Sequence, residues 1–122
     1  MTQLNTLSKN INFLAQNSPQ LWTLLQDLKA KLIKIYGDRL FSLILYGSHA
    51  RSEATPESDI DIMLVLNDPV NITEEREKIA HLIWYFLTEY DELLSLMPMS
   101  RDRFTKSEIS FLRVVQREGI EL

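Results

Sequence analysis

The chain has 122 residues, of which 45% are hydrophobic and 25% charged, the composition of one globular domain spanning residues 1–122. It contains no cysteine, which excludes disulfides, thiolate zinc sites and cysteine nucleophiles, and fits a reducing, cytoplasmic location. The net charge of −4 argues against general nucleic-acid binding, and the sequence shows neither a signal peptide nor a membrane-spanning apolar run.

A first amphipathic helix is predicted over residues 19–36. Ser18 and Pro19 form a typical helix start, with a capping hydroxyl and a proline in the first turn. Apolar residues then follow at helical spacing: Leu21, Leu24, Leu25, Leu28, Leu32 and Ile33. Gly37 is expected to end this helix. The pattern in residues 1–17 allows either a marginal helix or a loose arm.

Two short apolar runs predict buried strands, at residues 41–46 and 60–66. The first run ends on Gly47, and a polar stretch separates it from the second. The second strand carries two acidic residues at its start, an unusual place for charge in a buried strand.

A second helix is predicted to begin at Thr73, where acidic residues suit the positive end of a helix, and to run to about Glu89. Between Ala80 and Leu87 only His81 is not apolar. This pattern predicts that both sides of the helix are covered.

A third strand over residues 93–99 and a last helix complete the predicted elements. Pro98 restricts this strand to an edge of the sheet. The capping box Thr105–Glu108 predicts the start of the last helix, and Gly119 its end. The fold class is therefore α/β (α+β), a small mixed sheet of three or more strands with helices packed on it.

Two carboxylates at the start of the second strand indicate metal chemistry. Asp59 and Asp61 are two residues apart, so on a strand they project from one face, with backbones about 6.5–7 Å apart. Like charges this close favour a cation between them, and oxygen ligands without nearby His or Cys favour Mg²⁺ together with a bound phosphate. Two such ions can assist displacement at phosphorus.

The residues after the first strand suit a phosphate group. Gly47 allows backbone N–H groups to approach an anion, and Ser48 adds a hydroxyl. Arg51 can either contact the same phosphate or pair with Glu53 or Glu57. His49 and His81 are interpreted as exposed or hydrogen-bonded residues rather than metal ligands, since neither has a partner at ligand spacing.

The spacing Gly47-Ser48, ten residues, Asp59-Ile60-Asp61 resembles the signature of the DNA polymerase beta-like nucleotidyltransferase superfamily. The surrounding sequence YGSHARSEATPESDIDIMLVL is similar to its small prokaryotic branch, the minimal nucleotidyltransferases. The fixed spacing, with an apolar strand on each side, makes this resemblance specific.

The resemblance implies a reaction and a set of site residues. Gly47 and Ser48 would hold the triphosphate of ATP or another NTP, and Asp59 and Asp61 would bind two Mg²⁺ ions. The family moves a nucleoside monophosphate to a hydroxyl and releases pyrophosphate. A third carboxylate usually lies on the next strand, and Asp91, with Glu92 behind it, is the candidate for it.

The resemblance also implies a partner. Minimal nucleotidyltransferases often act beside a helical HEPN toxin and add AMP to one of its tyrosines, which would make this chain an antitoxin. The expected absence of an acceptor domain and the apolar helix 80–87 favour a protein partner, and a homo-oligomer also remains possible. The alternatives are a non-catalytic antitoxin or scaffold of the same fold, and transfer to a small molecule.

Overall fold

The computed structural model describes residues 11–106 and 108–122, and these form a four-stranded sheet with helices on both faces. In chain order the elements are α1 (Ile11–Asn17), α2 (Pro19–Tyr36), β1 (Leu40–Tyr46), β2 (Ile60–Leu66), α3 (Ile72–Tyr90), β3 (Leu94–Ser100), α4 (Arg101–Lys106), α5 (Ser110–Glu118) and β4 (Ile120–Glu121). The strand order is β3-β2-β1-β4, in which β2 and β3 are parallel and the other pairs antiparallel. This confirms the predicted mixed α/β sheet.

The predicted bounds hold for α2 and β2, and those of β1, α3 and β3 differ by one residue at one or both ends. β3 lies at the edge of the sheet, as Pro98 indicated. In the segment left undecided by the sequence, the described part from Ile11 onward is helical, and residues 1–10 lie outside the described residues. Ser18 occupies the cap position of α2, but its hydroxyl makes no capping hydrogen bond.

The sheet is buried on both faces because side chains of each strand alternate between two cores. The face toward α1, α2 and α3 takes Leu43 and Leu45 from β1 and Ile60, Ile62, Leu64 and Leu66 from β2. The face toward α4 and α5 takes Ile44 from β1 with Met63 and Val65 from β2. Since Asp61 lies between Ile60 and Ile62, it belongs to the α5 face.

Two predicted helix starts are wrong. Asn71, not Thr73, caps α3, since its side chain accepts a hydrogen bond from the Glu74 N–H at 3.1 Å. Thr105 does not open the last helix, because it lies inside α4 and its hydroxyl donates to the Arg101 carbonyl. Burial of the neighbouring Phe104 holds this short helix, which the sequence did not predict, against the sheet.

The prediction that α3 is covered on both sides is also wrong. Phe86 is fully buried, but Trp84 is 69% exposed, and Ala80 and Leu87 on the same side are exposed as well. The inner side of α3 is fixed to α2 by Asp27, whose Oδ2 accepts hydrogen bonds from two tyrosine hydroxyls of α3. No helix within the described ranges is long and apolar enough to cross a membrane.

Candidate functional site

The end of β1 and the starts of β2 and β3 meet at one end of the sheet. Tyr46 on β1 lies directly across from Asp61 on β2, and Asp61 in turn lies beside Ser95 on β3. The three side chains form a row on the α5 face, where the Tyr46 ring contacts Phe111 edge-on at 5.7 Å. Asp61 is therefore half-buried between two neighbouring strands.

The chain turns sharply after Tyr46, and Gly47 makes the turn possible. Gly47 adopts φ +76°, a conformation that L side chains rarely adopt. The amides of Ala50 and Arg51 both donate to the Gly47 carbonyl, which closes a helical turn over Gly47–His49. A Cβ on Gly47 would collide with the Asp61 carboxylate. Glycine is thus required both for the backbone angle and for the close approach of Asp61.

The electrostatic environment of Asp61 disfavours its charged form. Burial raises its pKa first, and the nearby charge of Asp59 raises it further, while His49 and Arg51 offset part of the rise. Burial and the charge of Asp61 in turn raise the pKa of the Tyr46 hydroxyl. Within the described ranges no hydrogen bond or ion pair reaches the carboxylate of Asp59 or Asp61.

Two adjacent, unpaired carboxylates fit a hard divalent cation, which would remove the repulsion between them. Among the described residues no three His, Asp or Glu side chains group closely enough to hold a metal ion. A cation here would take its remaining ligands from water or from a bound group, and Mg²⁺ with a nucleotide phosphate is a usual arrangement of this kind.

The structure does not bring Asp91 to this pair. Asp91 ends α3 in a left-handed conformation, where its N–H donates to the Phe86 carbonyl and its side chain is exposed. The position on β3 beside Asp61 is occupied by Ser95, four residues later. Asp91 caps α3 and Glu92 lines a cavity on the α2 face, so the described site on the α5 face contains two carboxylates, those of Asp59 and Asp61.

The other predicted phosphate-binding groups differ in their availability. Ser48 lies in the turn after Gly47, and its hydroxyl has no partner among the described residues. The Arg51 guanidinium is bound to Glu53 at 2.8 Å and lies 3.8 Å from Glu118. This is the ion pair that the sequence offered as the alternative to a phosphate contact.

Sequence reasoning missed His49. Its Nε2 is buried and has no hydrogen-bond partner in the part of the chain that the structure describes, whereas His81 is exposed as expected. The signal that could have indicated a role was its place directly after Gly47-Ser48.

Comparison with known proteins decides the family. The family model of the nucleotidyltransferase domain matches residues 25–116, which contain the whole turn and both carboxylates. The chain belongs to the nucleotidyltransferase domain family. This nucleotidyltransferase is 28% identical over 99 residues to a Methanocaldococcus jannaschii protein named "Putative protein adenylyltransferase MJ0141", covering 81% of this chain and 95% of that protein.

Solved structures of the same fold include the following two. One, described as a "putative nucleotidyltransferase" from Sulfolobus solfataricus, superposes with a TM-score of 0.58 at 14% identity, covering 81% of this chain and 76% of that one. The other, a toxin–antitoxin structure with AMP-PNP, gives 0.55 at 18% identity, covering 79% of this chain and 70% of that one. At these identities the likeness concerns the fold.

The dual role of Gly47 can be tested by Gly47→Ala. We expect it to lower the free energy of unfolding by about 1–3 kcal/mol, because it combines backbone strain with a clash against Asp61. Gly37→Ala is the matched control, since Gly37 also has a positive φ, +53°, but has nothing within 4 Å of the added Cβ. Urea unfolding should show a lower free energy of unfolding for both variants. MgATP titration should show loss of nucleotide binding only for Gly47→Ala.

The environment of Asp61 predicts that Asp61→Asn stabilises the protein without metal or nucleotide at pH 7. A carboxyl group whose pKa is higher in the folded than in the unfolded state lowers stability once it ionises. Well below pH 3.8, the ordinary pKa of the group, Asp61 is protonated in both the folded and the unfolded protein. The gain in stability from Asp61→Asn should therefore shrink as the pH falls toward 3.8. Urea unfolding against pH measures this, with Asp38→Asn, an exposed position, as the control expected to change little. A less stable Asp61→Asn at pH 7 would contradict the argument.

Proposed function

We propose that this chain transfers a nucleoside monophosphate, AMP from ATP, to a hydroxyl group. The observation that carries the proposal is the unpaired carboxylates of Asp59 and Asp61 beside the Gly47–Ser48 turn. A turn that can accept phosphates next to acids that fit Mg²⁺ is what phosphoryl chemistry needs. Membership of the nucleotidyltransferase family supports the same reaction.

Each group has a role in this reaction. Asp59 and Asp61 would hold two Mg²⁺ ions, which when bound supply charge stabilisation at the reacting phosphate. The backbone at Gly47 and the Ser48 hydroxyl bind the triphosphate, and Arg51 adds a contact if it leaves Glu53. The acceptor oxygen bonds to the α-phosphorus, the bond to the β-phosphate breaks, and pyrophosphate and the proton of the hydroxyl are released.

The acceptor we propose is a tyrosine hydroxyl of a HEPN partner toxin, which makes this chain an antitoxin that acts by adding AMP. A relative that spans most of the chain is named as a protein adenylyltransferase, and a chain of the same fold comes from a toxin–antitoxin structure. The exposed side of α3, with Ala80, Trp84 and Leu87 one turn apart, offers an apolar surface for such a partner.

One specific observation favours a second function, that of a non-catalytic antitoxin or scaffold. Ser95 stands where a third carboxylate could reach the same ions as Asp61. Of the two acids that precede β3, Asp91 ends α3 with an exposed side chain, and Glu92 lines the cavity on the α2 face of the sheet. A site with two carboxylates could keep nucleotide binding while catalysis is weak, and the partner surface on α3 would then carry the function.

Neutralising the two carboxylates separates these functions. We expect Asp59→Asn and Asp61→Asn each to reduce AMP transfer at least about 100-fold, since the ions they hold contribute several kcal/mol of charge stabilisation. Transfer of label from α-labelled ATP to a HEPN protein encoded beside this chain measures the reaction. Asp38→Asn, at the far end of β1, should retain full activity.

Neutralisation of the toxin by the same variants provides the second readout. If the aspartate variants stop transferring label and also stop neutralising the toxin, transfer is the function. If they neutralise the toxin as well as the unaltered chain does, the enzymatic mechanism is wrong and the scaffold function is correct.

The partner surface predicts that Trp84→Glu weakens the complex with the HEPN protein. Trp84 is 69% exposed, and loss of a buried tryptophan at an interface typically costs at least about 2 kcal/mol, or roughly 30-fold in Kd. Ile109→Glu is the control, because Ile109 is an exposed apolar residue at the start of α5 on the opposite side of the sheet. Equal affinity of Trp84→Glu and the unaltered chain would place the interface elsewhere.

A further inference from the structure

Phe111, the second residue of α5, is an aromatic side chain exposed beside the carboxylates. It is 44% exposed, whereas Leu112 and Val115 of the same helix are buried in the core. Its ring contacts the Tyr46 ring edge-on, with 5.7 Å between the centroids. Tyr46 lies directly across from Asp61. Phe111 thus contacts the row of side chains that contains Asp61 and keeps part of its ring open to solvent.

Both ends of α5 approach the site. Phe111 and Glu118 are seven residues apart, which places them on the same side of the helix, two turns or about 10 Å from each other. At the end of the helix, the Glu118 carboxylate is 3.8 Å from the Arg51 guanidinium. The charge of Arg51 in turn offsets part of the rise in the pKa of Asp61. This helix therefore forms a wall along the carboxylates.

A second exposed apolar side chain flanks the carboxylates from the side of β3. Leu93 directly precedes β3 and is 45% exposed. Its carbonyl accepts a hydrogen bond from the Ile60 N–H at 2.9 Å, so Leu93 lies beside the residue between the two aspartates. Leu94 is buried on the α2 face, and neighbouring residues of a strand project to opposite faces, so Leu93 projects to the face of Asp61. Leu93 and Phe111 thus bracket the carboxylate pair.

The acceptor hydroxyl of the proposed reaction has to reach this face of the sheet. Asp61 projects toward α5, whereas α3 packs on the opposite face. A partner held at the outer side of α3 has to bring its tyrosine around the sheet, away from the surface that holds it. Such a side chain needs a contact of its own beside the carboxylates, because a reacting group misplaced by about 1 Å can lose about 100-fold in rate.

We propose that the ring of the acceptor tyrosine binds between Phe111 and Leu93, which places its hydroxyl at the carboxylate pair. The inference rests on the proposed function, since it takes a tyrosine hydroxyl as the acceptor. Aromatic rings attract one another edge-to-face or in offset stacks, and the exposed part of the Phe111 ring offers such a contact. Leu93 covers apolar surface of the incoming ring. A serine has no ring and gains neither contact, so this site favours tyrosine over serine.

The partner then contacts two surfaces with different effects. The α3 surface holds the partner and sets the affinity of the complex. Phe111 and Leu93 orient one side chain within a complex that has already formed. A change at these two residues should therefore lower the rate of transfer in the complex and leave its affinity unchanged, whereas Trp84→Glu should weaken the complex itself.

The experiment measures transfer of label from α-labelled ATP to the HEPN protein encoded beside this chain. Phe111→Ala should lower kcat about 10-fold and Leu93→Ala about 3-fold, because the tyrosine loses a fixed place at the carboxylates. Phe111→Tyr keeps a ring and should restore kcat to within about 2-fold of the wild-type value. Calorimetry should show Kd values for MgATP and for the HEPN protein within about 2-fold of wild type in all three variants.

Ile109→Ala is the matched control. Ile109 is 46% exposed and lies two residues before Phe111, and side chains two residues apart do not face the same side of a helix. This variant should transfer AMP as the wild-type protein does.

Two results would overturn the inference alone. One is an unchanged kcat in Phe111→Ala or in Leu93→Ala, and the other is a fall in transfer that follows from weaker binding of MgATP or of the HEPN protein. The proposed function would survive either result, because the wild-type protein would still transfer AMP. Absence of label transfer by the wild-type protein overturns both proposals.

Discussion

The close approach of the Asp61 carboxylate to Gly47, which leaves no room for a Cβ, is the constraint on which the site depends. It places a charged group at the end of a strand whose other residues are buried, beside a turn that only glycine can make. β1 and β3 flank the half-buried carboxylate on both sides. Its position relative to the turn is therefore fixed before any ligand binds, which is the preorganisation that a phosphate site needs.

This arrangement opposes stability. Burial and the neighbouring charge of Asp59 raise the pKa of Asp61, so the ionised site destabilises the protein until a cation neutralises it. The two cores of the sheet offset this cost. Leu64 and Val65, fully buried on opposite faces of β2, hold the strand that presents the aspartate. Binding of a metal–nucleotide complex would then stabilise the fold as well as complete the site.

The carboxylates, the cavity and the proposed partner surface lie on different sides of the protein. The α5 face carries the carboxylates, and the α2 face carries the cavity with His49 and Glu92. The outer side of α3, with Trp84, lies apart from both. A partner bound to α3 would therefore have to reach around the sheet for its tyrosine to accept AMP at the carboxylates.

The sequence by itself determined the main elements and the two halves of the candidate site. Helical periodicity located α2, apolar runs located β1 and β2, and the spacing of Gly47-Ser48 and Asp59-Ile60-Asp61 indicated the chemistry, because local patterns report local structure. Only the tertiary structure decided which β3 residue lies beside Asp61, that Nε2 of His49 is buried without a hydrogen-bond partner among the described residues, and that Trp84 is exposed. These depend on strand register and on how elements distant in sequence pack, which no local pattern encodes.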